Sequence, residues 1–195
     1  MTQDPIHADI AFIRQTLEEG RSYVRLRSPD FAVWGALVAL GYLGIYARVI
    51  GVWSLDPGLI WWPLLAVGWL FSLRSVLTRQ PREKSGPAGR SLRALWIGFG
   101  ISMMLLGILQ TLSHTEVNLM DVVADSFLGA CFFTSAAICG VLWLRWVAVG
   151  WWIAAVLSLM LRDSAFVYVA DAGFMFALLC LPGLVLWLRA PTPHD

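Results

Sequence analysis

LMDVVADSFLGACFFTSAAICGVLWLRWVAVGWWIAAVLSLML, residues 119–161, is the stretch on which the fold turns. It runs for 43 residues with one basic side chain, Arg145. As a single helix it would be about 65 Å long at 1.5 Å per residue, twice the roughly 30 Å of hydrocarbon that a helix has to cross. The chain must therefore double back within it. Arg145 is the natural break, which predicts spans over residues 119–144 and 146–161.

Four further apolar runs flank this hairpin, at residues 31–47, 58–73, 94–112 and 166–187. In lipid an isolated apolar run can satisfy its backbone only as a helix. The predicted fold is therefore all-α, a polytopic bundle of six transmembrane helices over residues 31–189, with five or seven spans as the alternatives. Composition agrees: 58% of residues are hydrophobic, 14% are charged and the mean hydropathy is +0.70. Soluble domains carry about 25% charged residues, so a soluble enzyme is excluded, as is a disordered chain. A net charge of +1 gives no field that would attract nucleic acid.

The few charges are informative by position. Of the 14 basic residues, all but Arg48 and Arg162 fall on one side if the spans alternate in direction. Basic residues gather on the cytoplasmic side of membrane proteins, so both termini are expected in the cytoplasm, the tail at 190–195 included. The basic loop at 74–93, with Pro81, Gly86, Pro87 and Gly89, reads as a linker and topology signal. Asp56-Pro57 and Asp163-Ser164 supply helix caps. Pro63 and Pro182-Gly183 should kink their helices. Small residues four apart, such as Gly35/Ala39 and Gly173/Ala177, suit close helix packing.

Residues 1–30 form the polar head. An amphipathic helix is predicted over 4–20, with Asp4 as cap, Pro5 at its first position and Gly20 ending it. Ile6, Ile10, Ile13 and Leu17 share one face. The opposite face carries Asp9, Glu18 and Glu19 against Arg14 alone, whereas an anionic lipid surface selects a basic face. The stripe is thus a candidate contact face for the chain's own bundle, a protein partner or a second copy.

Familiar chemistry is largely missing. There is no HExxH, GxSxG, P-loop or GxGxxG, and the only lysine, Lys84, lies in a loop. Cys131, Cys139 and Cys180 sit inside apolar runs without zinc or disulfide spacing. No cofactor and no metal is expected, since His114 with Glu116 and Asp121 would ligate weakly. What stands out is that every charge inside a span is an acid: Asp121, Asp125 and Asp171. Such a residue costs about 2.5–3.5 kcal/mol on insertion scales, so it should face protein or water. Asp125 and Asp171, with Gln110 and His114 beside them, are the candidate proton or solute site. The alternative is a structural one, carboxyls favoured by helix N-termini and satisfied by Ser126, Gln110 or Tyr168.

The segment from Asp9 to Arg21, DIAFIRQTLEEGR, followed by Trp34-Gly35 in the first span, resembles small uncharacterised inner-membrane proteins of bacteria. The resemblance implies a bacterial inner membrane and carries over no functional residue. Three functions are compatible with these features. The leading expectation is a non-enzymatic membrane component that contacts a cytoplasmic partner or another copy through its head. The others are a small proton- or cation-linked transporter or channel using the intramembrane carboxylates, and a membrane enzyme acting on lipid.

Overall fold

A computed structural model describes residues 5–78, 86–113 and 120–188, and all of the regular structure among them is helical. The helices are α1 Pro5–Leu26, α2 Ser28–Val49, α3 Pro57–Thr78, α4 Pro87–Ser113, α5 Met120–Cys139, α6 Trp143–Leu161, α7 Phe166–Met175 and α8 Leu181–Leu188, the last two joined by a π-turn at Phe176–Cys180. Five stretches are long and apolar enough to cross a membrane: Asp9–Val49, Pro87–Leu109, Met120–Cys139, Trp143–Leu161 and Phe166–Leu188. α3 is the sixth helix of the bundle, and its 22 residues span about 33 Å.

α1 runs on into α2 through helical hydrogen bonds at Arg27, and from α2 onward successive spans alternate in direction, so the bundle has an arginine end, with Arg21, Arg27 and Arg145, and an aspartate end, with Asp56, Asp121 and Asp163. The core lies between α2, α5, α6 and α7–α8; α3 leans on α2, and α4 on α1 and α5. Trp151, Leu144, Phe132 and Met175 are buried at its centre. The periphery is apolar instead of polar: Leu59, Leu70, Ile101, Leu105, Trp146 and Met160 are all exposed. A continuous apolar exterior of this kind is what a bilayer covers.

Glycines permit the closest crossings. A Cβ on Gly35 would lie 2.5 Å from the backbone nitrogen of Cys180, and one on Gly183 would lie 2.5 Å from that of Ala32. These two contacts press α2 against the last span backbone to backbone. Gly173 and Ala177, the other pair at small-residue spacing, are exposed and take no part.

The chain reverses between α5 and α6 at Gly140, five residues before Arg145. Gly140 adopts φ +62°, and the Val141 N–H donates to the Ala136 carbonyl at 3.2 Å, the six-to-one bond that closes a helix on a left-handed glycine. The same device ends α2 at Gly51, φ +82°, with Val52 N–H on Ala47 O at 2.8 Å. Arg145 therefore lies within α6, and the boundary expected there is corrected. The basic stretch at 74–93 is also shorter as a loop than expected, since α3 continues to Thr78 and α4 starts at Pro87; residues 79–85 lie outside the described residues.

The caps at the aspartate end form as expected. Asp56 Oδ1 accepts from the Gly58 N–H at 2.7 Å, and Ser164 Oγ accepts from the Phe166 N–H at 3.3 Å. In the last span the disturbance falls just before Pro182, where Leu181 N–H bonds to Phe176 O, five residues back. Proline cannot donate to the preceding turn, and one surplus residue takes up the mismatch. An open groove of about 470 Å³ lies alongside, lined by Trp143, Ala177, Leu181, Pro182 and Val185.

The head helix does not stop at Gly20 but continues to Leu26. Gly20 is buried, and a Cβ there would sit 3.2 Å from Cys139 Cα, so the glycine is a crossing point against the end of α5. Arg21 Nε donates to the freed Cys139 carbonyl at 3.3 Å, and the Glu19 carboxylate fills the space where Gly86 lacks a side chain, at the start of α4. The second half of α1 is thereby docked. The first half is not: Ile10, Phe12 and Ile13 are 45%, 60% and 57% exposed. Leu17 is half-buried near Gly140, and the side chain of Ile6 lies outside the described residues.

Candidate functional site

Asp125 and Asp171 meet near the aspartate end of the bundle through a residue that the sequence pattern does not single out, Ser158. The antiparallel register of α5 and α6 places Asp125 opposite Ser158, and the short turn from α6 to α7 returns Asp171 to the same level. Ser158 Oγ lies 2.6 Å from Asp171 Oδ1, 2.9 Å from the Ala154 carbonyl of its own helix and 3.3 Å from Asp125 Oδ2. All three side chains are inside the protein, with exposures of 2% for Asp125 and Ser158 and 3% for Asp171.

Counting hydrogens restricts the chemistry. A hydroxyl has one proton to donate, and the Ser158 hydroxyl faces three oxygens. It can serve one of them at a time. The Ala154 carbonyl has no proton to offer, so a second of these contacts becomes a hydrogen bond only when a carboxyl is protonated and donates to Ser158 Oγ. Asp171 Oδ2 is also buried and has no hydrogen-bond partner among the described residues. An acceptor left in this state is costly.

Asp121, one turn before Asp125 on the same face of α5, sits nearer the surface and is half-buried. Its Oδ1 accepts a hydrogen bond from the Tyr42 hydroxyl at 2.6 Å. Tyr42 itself is buried on α2 and stacks edge-on against Trp61. A cavity of about 20 Å³ lies here, lined by Asp121, Ser158, Arg162, Val167 and Tyr168. That is enough for one water molecule. One turn deeper from the pair come Leu128, Ala154 and Met175, all buried, so the far side of the site is apolar.

The other candidates fall elsewhere. Ser126 is exposed and bonds back to its own helix at Val122 O, 2.7 Å away, so it does not satisfy the acids. Tyr168 does line the cavity. His114 lies outside the described residues, as does the side chain of Gln110. Among the described residues no group of three histidine, cysteine or acidic side chains converges to hold a metal ion. Ser158 and Tyr42 are the site residues that sequence reasoning misses. Each is a polar group inside an apolar helix, and Ser158 is the only hydroxyl on α6.

Comparison with protein-family models, with curated proteins and with solved structures gave no match. A function for this chain therefore has to come from the geometry of the site.

Proposed function

We propose that this chain is an integral protein of a bacterial inner membrane whose helices α2 to α8 form six spans, with the arginine end and both termini in the cytoplasm, and that it acts as a small proton-linked transporter or channel. One observation carries the reading: two carboxyls from different helices converge on a single hydroxyl inside the bundle. Intramembrane acids that face the interior of a bundle commonly mark ion pathways and proton relays. The proton, and not a metal ion, is the favoured ligand, because the oxygens are too few to replace a hydration shell and a carboxyl proton supplies a donor that the contacts around Ser158 lack.

Carbodiimides attack protonated carboxyls in apolar surroundings, which supplies the test. Protein reconstituted in vesicles is expected to be modified at Asp125 or Asp171 in peptide mass spectra, with labelling that falls as pH rises, and to take up protons after an acid jump. Vesicles no more permeable to protons than empty liposomes, together with unlabelled Asp125 and Asp171, would remove the reading.

A second role is favoured by the exposed apolar side chains in the first half of α1. Ile10, Phe12 and Ile13 form an exposed apolar face on a helix whose polar face is acidic, suited to a protein surface or a second copy on the cytoplasmic side. Deleting residues 1–16 leaves the Glu19 and Arg21 anchors in place. It is expected to abolish crosslinked or co-purifying complexes; unchanged complexes would count against this role.

A further inference from the structure

The pair is sealed on one side and approached on the other, and the approach has its own carboxylate. Asp121 and Ser158 are walls of the same water-sized cavity, and Arg162, whose side chain is 51% exposed, connects that cavity to the surface. In the opposite direction the buried layer of Leu128, Ala154 and Met175 carries no titratable side chain. Tyr42 holds Asp121 from α2 at 2.6 Å, fixing one carboxyl oxygen and leaving the other to be turned toward the cavity.

We infer that Asp121 is the port through which protons from the outer face reach the Asp125/Asp171 pair, with Tyr42 as its positioning residue; this rests on the proton-linked reading above. A proton taken up by Asp121 passes to a water molecule in the cavity as that water gives one of its own to Ser158 Oγ, and Ser158 releases its hydroxyl proton to Asp171. Each O–H bond formed is matched by one broken, and no oxidant or reductant is needed. A gap one water wide also selects for this traffic: a metal ion would have to shed its shell beside the Arg162 guanidinium, whereas a proton crosses by exchange of hydrogen bonds.

The test compares kinetics with equilibrium in full-length protein reconstituted in vesicles. Asp121→Asn is expected to slow proton uptake after an acid jump on the order of 100-fold, the scale of a lost proton-transfer group. The pH midpoint for carbodiimide labelling of Asp125 and Asp171 should move by less than one pH unit, as expected for loss of a carboxylate one helical turn away. Asp121→Glu should restore most of the rate, and Val167→Phe, which fills the cavity while keeping every titratable side chain, should slow uptake as Asp121→Asn does. Uptake at the wild-type rate in both Asp121→Asn and Val167→Phe would overturn the port. So would a labelling midpoint moved by a full pH unit in Asp121→Asn, which would place Asp121 within the binding pair itself. Wild-type protein that neither takes up protons nor labels would instead overturn the proton-linked reading.

Discussion

Replacing both Asp125 and Asp171 by asparagine is expected to lower acid-driven proton uptake by at least about 100-fold, the scale set by removing the group that holds the proton. Asparagine keeps the shape of the side chain and can still meet Ser158, so the variant should fold and migrate as wild type on size exclusion. What it loses is the exchangeable carboxyl proton. The single variants should differ. Asp171 makes the 2.6 Å contact and carries the unpartnered oxygen, whereas Asp125 stands at 3.3 Å, so Asp171→Asn should be the more severe. Ser158→Ala should fall between wild type and the double variant, because both carboxyls remain while their common hydroxyl is gone. Undiminished uptake in the double variant would leave the carboxyls a purely structural role.

Gly35→Ala is expected to have the largest effect on stability. The added methyl would lie 2.5 Å from Cys180 N and 2.9 Å from its Cα. Backbone cannot swing aside as a side chain can, so α2 and the last span would have to separate, and Gly183 would lose its seat on Ala32 with them. Overpacking of this kind costs about 1–3 kcal/mol, sometimes more. Gly98→Ala is the matched control: nothing lies within 4 Å of the position, and alanine favours a helix interior over glycine by about 1 kcal/mol. Melting curves in detergent should show a clear loss for Gly35→Ala and none for Gly98→Ala. Equal melting temperatures would contradict the close crossing.

The helices are legible in the sequence because apolar runs of bilayer length have so few ways to fold. Their ends are less so. At the α5–α6 reversal Arg145 draws attention as the only charge, yet a helix stops where its last carbonyls find donors, and Gly140 provides that through a left-handed turn. Gly20 misleads in the opposite sense, since a glycine within an amphipathic pattern serves as a stop or as a crossing point depending on what lies opposite. Asp125 and Asp171 are conspicuous by their insertion cost alone. Ser158 is not: a serine inside an apolar helix ordinarily bonds its own preceding turn, as this one does with Ala154. Only the register of three helices reveals its other two contacts. On the head, the spacing of Ile10 and Ile13 defines the stripe but cannot say whether the bundle covers it.

The π-turn at Phe176–Cys180 sets a rule for how this sequence can vary. One residue of helix corresponds to a rotation of about 100°. The surplus residue is what allows Asp171, above the turn, to face Ser158 while Gly183, below it, faces Ala32. Within the turn, side chains at exposed Phe176 and Ala177 can be exchanged at modest cost, whereas Leu179 and Cys180 are buried. A single deletion or insertion there would rotate one half against the other, and either the carboxyl or the glycine seat would be lost. The exposed half of the segment is tolerant of spelling and the whole of it intolerant of length, so a frame-preserving indel scan across the last span should find its sharpest boundary at these five residues.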